Sequence, residues 1–201
     1  MKKIGLTGSI GMGKSTVAAM LRDIGVPVFD ADAVVHALQG PGGRLVSPIE
    51  TAFPGTTGLA GGVAAVDRQQ LGARVLGDDA AMARLESIVH PAVAEERAAF
   101  LAAHREAPLV VFDIPLLFEK DGERGVDATI TVSAPAETQR ARVLARPGMS
   151  PEKFAAILAR QMPDAEKRAL ADYVIETGVP LETTRARVGD VVACILANTG
   201  R

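Results

Sequence analysis

Only one cysteine stands among the 201 residues, with one tyrosine and no tryptophan. The lone Cys194 excludes an intrachain disulfide and a zinc site built from several cysteines, and it fits a reducing cytoplasm. Aromatic residues make up 3% of the chain, too few for a platform on which nucleic-acid bases stack. The formal net charge of −2 argues against a generally basic surface for nucleic acid or membrane. No stretch approaches the roughly 20 apolar residues of a spanning helix. Lys2 and Lys3 precede apolar residues in the manner of a signal peptide, but a glycine-rich stretch interrupts that run at once, so the signal reading is rejected. The expectation is a cytoplasmic protein with no nucleic-acid and no membrane partner.

What the chain does hold is Gly8-Ser9-Ile10-Gly11-Met12-Gly13-Lys14-Ser15, which fits Gly-x-x-x-x-Gly-Lys-Ser/Thr, the phosphate-binding P-loop. Lys3–Thr7 before it reads as a short buried strand. Thr16–Leu21 after it reads as a helix, with Val17, Met20, Leu21 and Ile24 at helical spacing. Strand, glycine loop and helix form the arrangement that phosphate binding requires. Glycines let backbone N–H groups turn inward around an anion, and the helix start adds unpaired N–H groups and the positive end of its dipole. Lys14 can reach the β- and γ-phosphates of a nucleotide, and the Ser15 hydroxyl can ligate Mg²⁺.

The length allows one substantial core with one inserted subdomain. Gly25 supplies a helix stop, and Val26–Phe29 reads as a second strand. It runs into Asp30-Ala31-Asp32 and then a helix, so two carboxylates sit where a strand gives way to a helix, the edge at which α/β proteins gather ligands. One of them caps the helix or both serve chemistry; two carboxylates leave at least one free. Residues 40–105 read as a helical excursion from the sheet. In it, 55–62 is a flexible glycine-rich loop, and His90-Pro91 interrupts a helix that resumes at Ala92.

Leu109–Asp113 is an apolar run ending in an acid, the look of a buried parallel strand. Asp113 is then either the second P-loop carboxylate, holding Mg²⁺ through water, or a cap for the next turn. Ile114–Glu119 is either core filler or the wall of a pocket. Ala128–Val132 is a fourth strand and Tyr173–Ile175 a fifth, with a helix at 137–146 between them and a closing helix at 181–196. Residues 140–168 carry Arg140, Arg142, Arg146, Lys153, Arg160, Lys167 and Arg168. This cluster is either a solvated face paired with Glu152, Asp164 and Glu166, or a lid whose arginines close on phosphate. The alternation of strands and helices implies an α/β fold: a parallel five-stranded P-loop sheet covered by helices on both faces, with a helical insertion and a helical lid.

With these residues assembled, the chain resembles the dephospho-CoA kinases, a family of the P-loop nucleoside-monophosphate-kinase-like group. The resemblance rests on Leu6–Thr16, Asp30-Ala31-Asp32, Asp67-Arg68 with Leu71, Leu85-Glu86-x-Ile88-x-His90-Pro91 and Pro115–Glu119. Gln139-x-x-Arg142-x-x-x-Arg146, Gln161 and Ala171–Ile175 add to it. It implies that Gly11, Met12, Gly13, Lys14, Ser15 and Thr16 bind the phosphates of ATP, and that Lys14, Asp32 and Arg142 are catalytic. Asp32 would approach the ribose 3′-hydroxyl of dephospho-CoA. His90, Pro115, Leu116, Leu117 and Phe118 would bind the acceptor, Arg142 would be a lid arginine, and Ser15 and Asp113 would serve Mg²⁺. Ser9 stands where the family usually has a second glycine, and Thr177 where it often has asparagine near the adenine end.

On this reading residues 1–39 and 106–201 form the P-loop core, with a lid at about 147–170, and residues 40–105 form the acceptor (CoA) subdomain. The reaction implied is phosphoryl transfer from ATP, as co-substrate with Mg²⁺, to dephospho-CoA, the last step of coenzyme A biosynthesis. A monomer is expected, with an oligomer left open. The alternatives are another P-loop small-molecule or nucleoside monophosphate kinase and a P-loop switch protein. The switch reading is weakened because the only asparagine is Asn198, so no Asn-Lys-x-Asp guanine-binding element exists.

Overall fold

The chain begins with β1 (Lys2–Thr7), α1 (Lys14–Asp23), β2 (Val28–Asp30), α2 (Ala31–Gln39) and α3 (Val46–Ala52). Then follow β3 (Thr57–Ala60), β4 (Val63–Val66), α4 (Arg68–Val75) and α5 (Asp79–Ala103). The remainder is β5 (Leu109–Asp113), β6 (Ala128–Ser133), α6 (Ala136–Leu144), α7 (Pro151–Leu158), α8 (Asp164–Leu170), β7 (Tyr173–Glu176) and α9 (Leu181–Ala197). These elements come from a computed structural model that describes residues 1–198. They divide into two units, one made of Met1–Phe29 and the chain from His104 onward, the other of Asp30–Ala103.

The first unit is organised by a parallel five-stranded sheet in the order β2-β5-β1-β6-β7. β1 lies between β5 and β6, with Leu6 opposite Asp113 on one side and Ile130 on the other. That register sets Asp113, the last residue of β5, beside the chain as it enters the glycine loop. All five residues of β5 are buried, as a strand covered on both faces requires. Ile4, Leu6, Val111, Ile130, Val132 and Ile175 of the sheet pack with Val17 and Leu21 of α1 and Val188, Val191 and Ile195 of α9. Gly25 ends α1 in the left-handed region at φ +82°, with the Val26 N–H bonded to the Leu21 carbonyl and the Gly25 N–H to that of Arg22. This pair of bonds satisfies the last carbonyls of the helix.

The second unit holds α2 to α5 around its own core of Leu38, Leu45, Val46, Ile49, Phe53, Leu71 and Val75. Two expectations fail in it. Residues 55–62 are not a flexible loop: β3 and β4 form an antiparallel hairpin in which Ala60 pairs with Val63 around Gly61-Gly62. Both glycines have positive φ, +60° and +82°, the conformation of a two-residue turn matched to strand twist. Glu50 ties down the approach, accepting from the Gly55 N–H at 2.7 Å and the Thr57 hydroxyl at 2.8 Å.

His90-Pro91 does not interrupt the helix either, since α5 runs through Pro91 for 25 residues. A proline inside a helix costs about 3 kcal/mol. Met82, Leu85, Ile88 and Val89 before it, and Ala92 and Val93 after it, pack into the same core. Burial on both sides of the proline outweighs the lost hydrogen bond. Among the described residues no helix is long and apolar enough to cross a membrane.

Candidate active site

The glycine loop leaves the carboxyl end of β1 under steric constraint. A Cβ on Gly8 would lie 2.8 Å from the Val132 carbonyl oxygen, and one on Gly11 would lie 2.5 Å from Val143 Cγ2. Gly13 has φ +92°, and a Cβ there would meet Thr177 Oγ1 at 2.9 Å. These positions therefore exclude a side chain by contact, and Gly11 and Gly13 exclude one by conformation as well. Ser9 is accommodated, buried, with its carbonyl accepting the Met12 N–H. Gly13 stands at the cap position of α1 and offers no side-chain acceptor, so the first turn of the helix faces outward without a cap. Ser15 and Thr16 are exposed on that turn. This is the construction of an anion site.

Lys14 forms an ion pair with Asp113, their side chains 19% and 5% exposed. The pair joins the two residues that the P-loop pattern assigns to phosphate and to metal. Met12, grouped with the phosphate-binding residues, turns its side chain inward: it is 2% exposed and its sulfur accepts the Ala134 N–H at 3.1 Å.

Arg142 lies on α6, outside the 147–170 stretch, and grips the turn after β7. Its Nη1 donates to Thr177 Oγ1 at 2.9 Å and its Nη2 to the Thr177 carbonyl at 2.6 Å. The Thr177 hydroxyl in turn donates to the Met12 carbonyl at 2.6 Å. Arg142 is thus connected to the P-loop backbone through one buried threonine. In the sequence, Thr177 stood out only as a departure from a family pattern. Its place directly after a strand, at the same sheet edge as Asp113, is the signal that would have found it.

Most of the basic cluster is a solvated face, with Arg140, Arg142, Arg146, Lys153, Arg160 and Arg168 exposed, and Lys167 departs from it. Lys167 is completely buried, and its ammonium lies 2.8 Å from Glu119 Oε1. Burial pushes the Glu119 carboxyl up, but Lys167 and the Met162 N–H outweigh this and hold it below the usual carboxylate range. Arg168, expected on the solvated face, donates to Ser133 Oγ at 2.9 Å and pairs with Glu176. The partners come from distant strands and loops, which local spacing does not reveal.

Within Pro115–Phe118, Leu117 is wholly buried, and its methyl carbons lie 3.0 and 3.2 Å from the point a Cβ on Gly5 would occupy. It is a core residue and lines no open surface. Pro115, Leu116 and Phe118 are half-buried, and the Pro115 carbonyl accepts from the Thr7 hydroxyl at 3.2 Å.

In the other unit, the ambiguity of the carboxylate pair resolves. Asp30 is the cap of α2, accepting the Ala33 N–H at 2.9 Å, and Asp32 is exposed on the first turn. His90 is exposed on α5. Among the described residues no group of three or more His, Cys, Asp or Glu is placed to hold a metal.

A family model described as dephospho-CoA kinase matches residues 2–181. The chain is 65% identical over 192 residues to a dephospho-CoA kinase of Novosphingobium aromaticivorans, covering 96% of this chain and 94% of that one. A solved structure from Thermus thermophilus is 39% identical and superposes with a TM-score of 0.79, covering 97% of each chain. The dephospho-CoA kinase of Campylobacter jejuni, at 23% identity, shares the fold with a TM-score of 0.65 over 96% of this chain and 97% of that one.

Proposed function

The chain belongs to the dephospho-CoA kinase family, which phosphorylates dephospho-CoA with ATP in the last step of coenzyme A biosynthesis, and from that premise we propose which of its residues perform the reaction. The observation that carries the assignment is the pairing of Lys14 with Asp113 at the mouth of a loop whose glycines admit no side chain. The transferring phosphoryl group passes through a loose transition state, so the protein's work is positioning and charge neutralisation. Backbone N–H groups of Gly11–Thr16 cradle the phosphates. Lys14 exchanges Asp113 for the β- and γ-phosphates when ATP arrives. Arg142 supplies a second positive charge from the Thr177 side.

Asp32, with Asp30 already engaged as the cap, orients the ribose 3′-hydroxyl and takes its proton. His90, Pro115, Leu116 and Phe118 contact the acceptor, Leu117 supports them from within the core, and the helical unit is the acceptor subdomain. The stretch of about 147–170 is the lid that keeps water from the phosphoryl group.

Mg²⁺ fits the donors present. Ser15 and Asp113 offer hard oxygen atoms, and this ion is usually held by one or two protein oxygens together with nucleotide phosphates rather than by a protein cage. When bound, it neutralises charge on the phosphates. The free, exposed Cys194 supports a cytoplasmic setting.

The test is product identification after incubation with ATP, Mg²⁺ and a panel of dephospho-CoA, AMP, CMP, shikimate and gluconate. Coenzyme A as the main product is expected. Faster phosphorylation of another panel member would overturn the acceptor assignment.

A further inference from the structure

Ile10 lies in the P-loop between Ser9 and Gly11, and side chains from far along the chain hold both of its backbone polar groups. Its N–H donates to Gln161 Oε1 at 3.0 Å, and its carbonyl accepts from Gln139 Nε2 at 2.8 Å. The backbone dictates this polarity: an N–H requires an acceptor and a carbonyl a donor, so one amide must present oxygen and the other nitrogen. Gln139 is buried on α6. Gln161 is half-buried in the turn between α7 and α8, inside the stretch read as the lid. Its neighbour Met162 is fastened too, its N–H donating to Glu119 Oε1 at 2.8 Å. Glu119 is in turn the counter-charge of the buried Lys167. Two consecutive residues at the end of the α7 hairpin are therefore tied, one to the phosphate loop and one to the loop after β5.

The P-loop needs such bracing. Gly11 and Gly13 give it conformations that only glycine adopts freely, and the same freedom makes an unbraced loop costly to order around a ligand. We propose that Gln161 is a positioning residue for phosphoryl transfer: through the Ile10 N–H it holds the P-loop in its binding shape and couples the base of the lid to the loop, while Gln139 holds the next peptide through the Ile10 carbonyl. The inference rests on the reading of this loop as the ATP site. It adds that the loop's order depends on an acceptor oxygen at position 161.

The experiment compares wild type with Gln161→Met, which keeps length but loses the acceptor, Gln161→Ala, which removes the side chain, and Gln161→Glu, which keeps an acceptor oxygen. Hydrogen exchange at the Ile10 amide is measured in the nucleotide-free enzyme. MgATP affinity is measured by calorimetry, with KM and kcat from steady-state assays. In the Met and Ala variants, Ile10 exchange should accelerate roughly 3- to 10-fold, the range that one net hydrogen bond supplies. MgATP affinity should weaken and KM for ATP rise by the same factor, with a smaller change in kcat and melting temperatures near wild type. In Gln161→Glu, the Ile10 protection should return to within about 2-fold of wild type, since a carboxylate accepts the same bond.

Wild-type exchange at Ile10 or wild-type MgATP affinity in both Met and Ala variants would overturn the proposal. So would an equal loss of Ile10 protection in the Glu variant. If wild-type enzyme itself fails to bind MgATP, the ATP-site reading is overturned and the proposal with it, an outcome distinct from the others because it appears before any substitution.

Discussion

Glycines with positive φ occur in both units, and they are held to glycine for different reasons. At Gly11 a Cβ would come within 2.5 Å of Val143, whereas at Gly61 and Gly62 it would meet nothing within 4 Å. In the P-loop the backbone itself must approach α6 and the turn after β7, so glycine is required by contact as well as by conformation. In the hairpin only the turn requires it. The polar groups that the two units offer divide along the same line. The P-loop unit presents main-chain N–H groups backed by a paired lysine and aspartate, and the helical unit presents side chains, Asp32 and His90, on exposed helix turns.

The strongest test of this division is Asp32→Asn. If the helical unit contributes a side chain to the chemistry, phosphoryl transfer should fall ~10²–10⁴-fold, the usual worth of a positioned general base. MgATP affinity by calorimetry should stay near wild type. A matching loss of MgATP affinity would place Asp32 with the nucleotide and end the division.

Next in size is Glu119→Gln in the P-loop unit. It leaves the fully buried Lys167 ammonium without its counter-charge, which costs about 3 kcal/mol or more. The pH dependence has a definite sign. Glu119 is held below its ordinary value in the folded state, so its contribution is complete above the unfolded carboxylate value of about 4.3 and is lost as pH falls through the folded value. The gap in melting temperature between wild type and variant should therefore be widest near neutral pH and close in acid. A gap that stays constant as pH falls from neutral into acid would show that packing rather than charge holds the pair.

Arg142→Lys should lower kcat at least ~10-fold. The ammonium keeps the charge but cannot span the Thr177 hydroxyl and carbonyl together, and an arginine on a transferring phosphoryl group supplies ~10³ or more. A change under 2-fold would mean that Arg142 serves Thr177 alone. The smallest effect belongs to Gly61→Ala. With open space around it and φ at +60°, it should cost about 1–2 kcal/mol by conformation and leave kcat unchanged. Lost activity there would mean that the hairpin touches substrate, and the contrast with Gly11 would be gone.

Much of the fold was legible because its signals are local. The five strands and the Gly25 stop depend on residues a few positions apart. The misreadings came where local signals competed with packing. Gly61-Gly62 belongs to a turn, but Thr57–Ala60 is too poor in β-branched residues to announce a strand. Pro91 breaks helices in isolation, and only the core formed by α5 with its neighbours keeps this one continuous. Asp30 and Asp32 were indistinguishable by type, and backbone geometry separated the cap from the exposed acid.

What the sequence determined by itself is the P-loop pattern and the sheet that carries it. A P-loop is one continuous segment whose glycines, lysine and hydroxyl act within eight residues, so its chemistry is written at short range. What only the tertiary structure decided is how that loop is held. Gln161 reaches Ile10 across 151 positions, Lys14 reaches Asp113 across 99, and Arg142 reaches Thr177 across 35. Such bonds depend on strand order and register, which bring distant segments to one sheet edge, and no periodicity in the chain encodes which hydrogen-bonding groups will meet there.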